Sequence, residues 1–340
     1  MNKQISILAL SFCVVVFTLA GNASAQAADG QEAVKLKATL VNVPVIVSDH
    51  QGRYLSGLRA EDFTLYNDHV KQNIAVFEAT EEPLNVALLL DTSKSTRDVL
   101  DEIKDAAMNF IKRLRPQDRA MIVSFDYDIH VLSKLTADRR VLERAIKDAE
   151  IGDYAGTVLR DAVMKATNES LRQVQGRKAI VLLTDGKDHG SAIGEVESLE
   201  AAQESGAMIY ALFYRTNFAT RFEARHGGWR RRGGVFGEPF PRRAPGNERR
   251  RERAEHKNEG AADYLNQLAD ASAGRFYRSE VTDLKQTFDL IADELRHQYR
   301  LGFYANNDQT EGAVHRLTVQ VAHPDSVVRA RRTYRAGQAQ

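Results

Sequence analysis

The 340-residue chain contains one cysteine, Cys13, and it falls within the first 25 residues. Those residues have the make-up of an export leader. Lys3 supplies a short positive start, Ile5 to Ala20 is almost unbroken apolar sequence, and Ala23-Ser24-Ala25 is a small-x-small cleavage site. Cleavage after Ala25 leaves a mature chain without cysteine, which excludes disulfides, thiolate zinc sites and cysteine nucleophiles. Cys13 lies in mid-run between Phe12 and Val14, away from the position of a lipid-acceptor cysteine. Beyond the leader, no stretch approaches the ~18 apolar residues of a membrane helix. A surplus of either charge is also lacking: 47 Lys+Arg face 46 Asp+Glu, a net charge of +1. Nothing therefore draws the chain as a whole toward nucleic acid or an anionic membrane. At 43% hydrophobic and 27% charged, the composition is that of a soluble globular protein, long enough for two compact units.

Residues 30–82 are rich in strand signals. Val41, Val43, Val45 and Val47 alternate, with Pro44 tolerable only on an edge strand or at a bulge. Gln51-Gly52 and Asn67-Asp68 mark turns, and Phe63, Leu65, Ile74 and Phe77 can fill a small core. From residue 84 the rhythm changes. Val86–Leu90 is a continuous apolar run, followed at helical spacing by Val99, Leu100, Ile103, Ala107, Phe110, Ile111 and Leu114, up to Pro116. Met121–Phe125, Ala179–Leu183 and Ala207–Phe213 are further short apolar runs, and Val158, Leu159, Ala162, Val163 and Ala166 mark another helix. Runs apolar on every side that alternate with amphipathic helices predict a doubly wound α/β fold, its mostly parallel sheet covered on both faces.

Residues 215–258 break the pattern. Eleven arginines lie between Arg221 and Arg253, opposed by Glu223, Glu238, Glu248 and Glu252, and glycines and prolines argue against regular structure. Leu265, Leu268, Leu284, Phe288, Ile291 and Leu295 then resume the helices. Residues 298–340 return to strands, with Val327 to Tyr334 as a last one. The expected organisation is a leader at 1–25, a β-rich segment at 30–82, an α/β domain at 84–297 carrying the 215–258 insertion, and strands at 298–340.

Ligands of open α/β sheets bind beyond the carboxyl ends of the strands. Here VALLL ends in Asp91-Thr92-Ser93-Lys94-Ser95, AIVLL ends in Thr184-Asp185-Gly186-Lys187-Asp188, and a third loop, Gly152 to Thr157, precedes a helix. Two carboxylates and several hydroxyls, with no sulfur and no well-spaced histidine, describe a site for a hard cation. Mg²⁺ is the first choice, because it accepts oxygen ligands and keeps several waters; Mn²⁺ and Ca²⁺ are the alternatives. Taken singly, Ser95 and Thr157 could be helix caps and Asp185-Gly186 a plain turn.

Asp91-x-Ser93-x-Ser95 after a buried strand resembles the metal-ion-dependent adhesion site (MIDAS) of von Willebrand factor A domains. Thr157 after Gly156, and Asp185 in Thr-Asp-Gly, match that family's other two motifs in order. The resemblance spans roughly residues 84 to 297. It implies that Ser93, Ser95 and Thr157 offer hydroxyl oxygens to a metal, directly or through water. Asp91 and Asp185 would supply charge, and an acidic residue of a protein partner would complete the coordination. The flanks, with Gly57-Leu58, Glu61-Asp62-Phe63 and Tyr299-Arg300-Leu301-Gly302-Phe303-Tyr304, look like those of bacterial exported relatives. Two features depart from the family: Lys94, where glycine is frequent, and the arginine-rich insertion.

The expected function is an exported, non-enzymatic binding or adhesion module, periplasmic or secreted, without a small-molecule substrate. An envelope assembly protein with a fold-stabilising metal is the alternative, ahead of a metal-dependent hydrolase. Position 93 is serine, so the Asp-x-Asp of aspartate-nucleophile phosphatases is missing, as are a G-x-S-x-G elbow and a P-loop. His189 is near the expected site, but no histidine pair has zincin spacing, and Asp188 and Lys187 would sit at the rim. Two readings stay open for the insertion. It is either a solvated loop or a contact for an anionic surface through Arg230, Arg231, Arg232, Arg249, Arg250 and Arg251.

Overall fold

The computed structural model describes residues 39–79, 81–214, 246–305 and 312–336, with the backbone alone over 246–258. The expected leader lies outside the described residues. Four strands come first: β1 (Thr39–Asp49), β2 (Phe63–Asn67), β3 (Val70–Gln72) and β4 (Val76–Glu78). Strands and helices then alternate through β5 (Leu84–Asp91), α1 (Leu100–Arg113), β6 (Arg119–Phe125), β7 (Ile129–Thr136), α2 (Arg139–Lys147) and α3 (Leu159–Met164). They continue through β8 (Arg177–Thr184), α4 (Glu195–Glu204), β9 (Met208–Tyr214), α5 (Gly246–Ala271), β10 (Arg275–Ser279) and α6 (Leu284–Arg296). The described chain closes with β11 (Gln298–Ala305), β12 (Val314–Val321), β13 (Ser326–Ala330) and β14 (Thr333–Arg335).

The central sheet runs β10-β9-β8-β5-β6-β7 and is parallel except for β7, which pairs antiparallel with β6. Its inner strands are apolar on both faces for a simple reason. Leu88, Leu90, Ile122, Val181, Leu183 and Leu212 pack on α1, α2 and α6, whereas Leu89, Val123, Leu182, Ile209 and Ala211 pack on α3, α4 and α5. Each Leu or Ile side chain buried this way contributes about 1.5–3 kcal/mol relative to exposure. The doubly wound α/β fold follows from that two-sided burial.

The strands that flank this unit in sequence meet in space. One antiparallel sheet runs β13-β1-β11-β4 and a second runs β14-β12-β2-β3. Val41, Val43 and Val45 pack between them with Phe63, Leu65, Tyr299, Leu301 and Leu317. Pro44 faces Arg300 of β11, and the β13 ladder starts only at Val45, so the proline has a paired neighbour on one side alone.

Two expectations need correction. Residues 327–334 form two strands, β13 and β14, in different sheets. The chain turns at Arg331, a fully buried side chain whose Nη1 donates to the Gln203 carbonyl on α4 at 2.8 Å. Regular structure also resumes earlier than residue 258, because α5 starts at Gly246. The glycines and prolines of the insertion all precede position 247, and the stretch 247–259 is dominated by Arg and Glu, which favour helix.

Glu294 joins the α/β unit to its β flanks. Its side chain is wholly buried on α6 and accepts from Tyr210 Oη of β9 at 2.7 Å and Tyr54 Oη at 3.0 Å. Arg275 of β10 (3.0 Å) and Arg329 of β13 neutralise it. Both phenols are pushed upward, by burial first and then by the neighbouring carboxylate, so they remain donors at any physiological pH. Removing one member of such a buried network leaves the others uncompensated. Glu294→Leu is expected to cost about 3 kcal/mol in urea denaturation; a loss below about 0.5 kcal/mol would show that the network is incidental.

Candidate metal centre

Strands β5 and β8 are neighbours in the sheet, and their carboxyl ends place Asp91 and the Thr184-Asp185 step side by side. Asp91 is fully buried. Its Oδ2 accepts from Thr184 Oγ1 at 2.7 Å and its Oδ1 from the Ser93 amide at 3.0 Å. The Thr184 hydroxyl in turn accepts from the Gly186 amide at 2.9 Å. Thr96 Oγ1 donates to the carbonyls of Asp91 (3.1 Å) and Ser93 (2.8 Å), which folds the loop into a 3₁₀ turn over Lys94–Val99. That turn sets Ser93 Oγ 3.1 Å from Ser95 Oγ. Neither serine provides a side-chain cap: Ser93 occupies the N-cap position of the turn and its hydroxyl does not bond the turn's amides.

Asp185 is also buried, 3% exposed. Burial, and next the charge of Asp185, push the Asp91 carboxyl up to about 7, against the lowering effect of the Ser93 and Thr184 hydrogen bonds. Lys187 pairs with Asp185 Oδ2 and donates its amide to Oδ1 at 3.3 Å. Tyr214, at the end of β9, is buried with its hydroxyl unpartnered among the described residues. Its titration is raised by burial and then by Asp91 and Asp185.

Thr157, 3% exposed, is carried to the same end of the sheet by a loop pinned at three points. Its carbonyl accepts from the His189 amide at 2.9 Å, the Val158 amide donates to the Asp126 carbonyl at 2.8 Å, and the Gly152 amide donates to the Thr92 carbonyl at 3.0 Å. Val158, not Thr157, occupies the N-cap position of α3. Asp126 organises this arrangement and was missing from the sequence reading. It is buried after β6, accepts from Thr92 Oγ1 at 3.3 Å and from the Asp128 amide at 3.1 Å, and faces His130 Nε2 at 3.3 Å. The signal was available, since Asp126 follows a buried apolar strand just as Asp91 and Asp185 do.

The other expected residues divide. Lys94 is exposed at the edge of the loop. Asp188 turns to α3, where it accepts from the Arg160 amide at 3.1 Å, and it also accepts from Ser191 Oγ in its own loop at 2.7 Å. The His189 side chain is exposed, and the residue contributes its backbone amide. Arg230, Arg231 and Arg232 lie outside the described residues, and Arg249, Arg250 and Arg251 fall on α5, of which the backbone alone is described there.

The donor set suits a hard divalent cation. Its atoms are all oxygens, and two buried carboxylates repel one another with one lysine near them. Among the described residues no cluster of three His, Cys, Asp or Glu side chains occurs, so an ion here would rest on two carboxylates and the hydroxyls.

A doubly wound sheet whose strand ends carry an Asp-x-Ser-x-Ser loop, a threonine loop and a second aspartate is similar to the frame of a von Willebrand factor type A domain. Residues 86–187 match the family model for the von Willebrand factor type A domain. No curated protein matches the chain. Among solved structures, BatB from Bacteroides thetaiotaomicron is similar at 20% identity and TM-score 0.43, over 62% of this chain and 97% of that one. The von Willebrand factor domain of the type V pilus tip protein Mfa5 from Porphyromonas gingivalis is similar at 14% identity and TM-score 0.43, over 62% and 94%. Proximal thread matrix protein 1 of the mussel byssus, with a zinc-occupied MIDAS motif, is similar at 14% identity and TM-score 0.48, over 68% and 50%.

Gly152 offers a test of the loop geometry. A Cβ there would lie 2.4 Å from Asp126 Cγ, inside contact distance. Gly152→Ala is expected to lower stability by about 1–3 kcal/mol in chemical denaturation, and an unchanged midpoint would refute the close approach.

Proposed function

We propose that this chain is an exported binding module whose divalent cation, held at the ends of β5 and β8, captures an acidic group of a protein partner. The observation that carries this reading is the buried Asp91–Asp185 pair, set beside the Ser93 and Ser95 hydroxyls. Asp91 and Asp185 would supply the charge, and Ser93, Ser95 and Thr157 the hydroxyl oxygens. Mg²⁺ is the favoured ion because this set is all oxygen and modest in charge, leaving positions for water or for a partner carboxylate; Mn²⁺ and Ca²⁺ share the donor chemistry. The module would be non-catalytic and would act in the periplasm or outside the cell, with residues 1–25 as its export signal. No described helix is long and apolar enough to cross a membrane, which is compatible with export. On this reading residues 84–297 are the interaction domain, and 30–82 and 298–340 supply the strands at its base.

Calorimetric titration of Mg²⁺ into the full chain tests it. Saturable binding is expected, with stability rising by about 2.7 kcal/mol at a hundred times the dissociation constant. Asp91→Ala should abolish both effects while leaving the metal-free melting temperature nearly unchanged. A variant that binds as wild type would overturn the assignment, and one that loses many degrees without metal would point to a structural role instead. Random peptides selected on the Mg²⁺-loaded chain should share an essential Asp or Glu and elute with chelator. Enrichment indifferent to acidic residues and to chelator would contradict the partner chemistry.

A further inference from the structure

Consecutive strands β12 and β13 do not pair with each other. β12 joins β2, whereas β13 joins β1 in the other antiparallel sheet, and the chain crosses between sheets again at Arg331-Arg332 before β14. The splayed strands leave a cleft of about 560 Å³, within the ~300–1,000 Å³ range of ligand sites. Its lining includes Arg316, Arg331 and Arg332, the hydroxyl residues Thr318 and Thr333, and apolar side chains such as Val328, with no carboxylate among them.

The lining itself holds no carboxylate to set against its three guanidinium groups. Arg316 and Arg332 are exposed and form no ion pair among the described residues. Arg331 is 1% exposed; beyond its bond to the Gln203 carbonyl, its Nε and Nη2 have no partner among the described residues. A buried cation with unmade donors is costly unless an anion compensates it. The carboxylates around the cleft are engaged by other groups: Asp68 accepts from the Arg316 backbone amide at 2.8 Å and pairs with His315, and Arg335 pairs with Glu200 and faces Glu204 at 3.7 Å. Guanidinium groups are suited to bidentate contact with carboxylate or phosphate, and hydroxyls beside them can complete such a site.

We propose that the cleft between β12 and β13–β14 binds a small organic oxyanion, a carboxylate or phosphate carried on a scaffold with an apolar face. The site lies in the β flanks, apart from the metal loops, and is independent of the metal reading.

The test is calorimetric titration of succinate and, separately, inorganic phosphate into the metal-free full chain at low salt. The comparison is with R316A/R332A, whose two side chains are exposed and whose folding circular dichroism would verify. Saturable binding of at least one anion, weakened tenfold or more in the double variant, is expected, and the anion that binds identifies the head group. Saturation by neither anion, or equal binding by the variant, would overturn the proposal. So would binding lost in Asp91→Ala but kept in R316A/R332A, which would place the anion at the metal loops.

Discussion

Two carboxylates buried side by side at the end of a parallel sheet are the constraint on which the candidate site depends. Asp91 ends β5 and Asp185 follows β8, and the pairing of those strands brings the two buried acids close enough for the charge of Asp185 to act on Asp91. Burial and mutual repulsion both work against ionisation, which is why Asp91 is held up to about 7. The surrounding loops answer that cost in part. Thr184 and the Ser93 amide solvate Asp91, Lys187 pairs with Asp185, and the negative charge left over is of the sign that a divalent cation would offset. Each of these contacts also fixes a loop, so the arrangement of hydroxyls is a consequence of solvating the acids.

Precision at the strand ends requires a rigid support, and two buried carboxylates supply it elsewhere. The Asp126 carboxylate accepts from the Thr92 hydroxyl and its backbone carbonyl from the Val158 amide, while the Gly152 amide bonds the Thr92 carbonyl and Gly152 is small enough to pass beside the Asp126 side chain. Glu294 of α6 gathers β9, β10, β13 and Tyr54. The β flanks are therefore hydrogen-bonded and ion-paired to the same helix that packs on α1, the helix leading out of the Ser93–Ser95 turn. The flanks brace the domain.

Much of this was legible in the residues. β5, β6, β8 and β9 announce themselves as short runs apolar on both faces, and the oxygen-rich sequences after β5 and β8 mark the ligand end of the sheet. What escaped lacks such a pattern. β7 is a half-exposed edge strand, and α4, EVESLEAAQE, has too few large apolar residues to show a face. The split of 327–334 into β13 and β14 depends on Arg331 finding a carbonyl on α4, a contact 128 positions away. Asp126 was overlooked although it carries the same strand-end signature, because no hydroxyl motif accompanies it. The start of α5 at Gly246 was obscured by the glycine- and proline-rich sequence just before it.

The decisive question is whether a cation occupies the space bounded by Asp91, Ser93, Ser95, Thr157 and Asp185. Anomalous diffraction from crystals of the full chain grown with Mn²⁺ addresses this directly. A peak among those five residues, absent from crystals of Asp91→Ala, is the predicted result. Well-ordered loops at both strand ends with no anomalous peak between them, at saturating Mn²⁺, would contradict it.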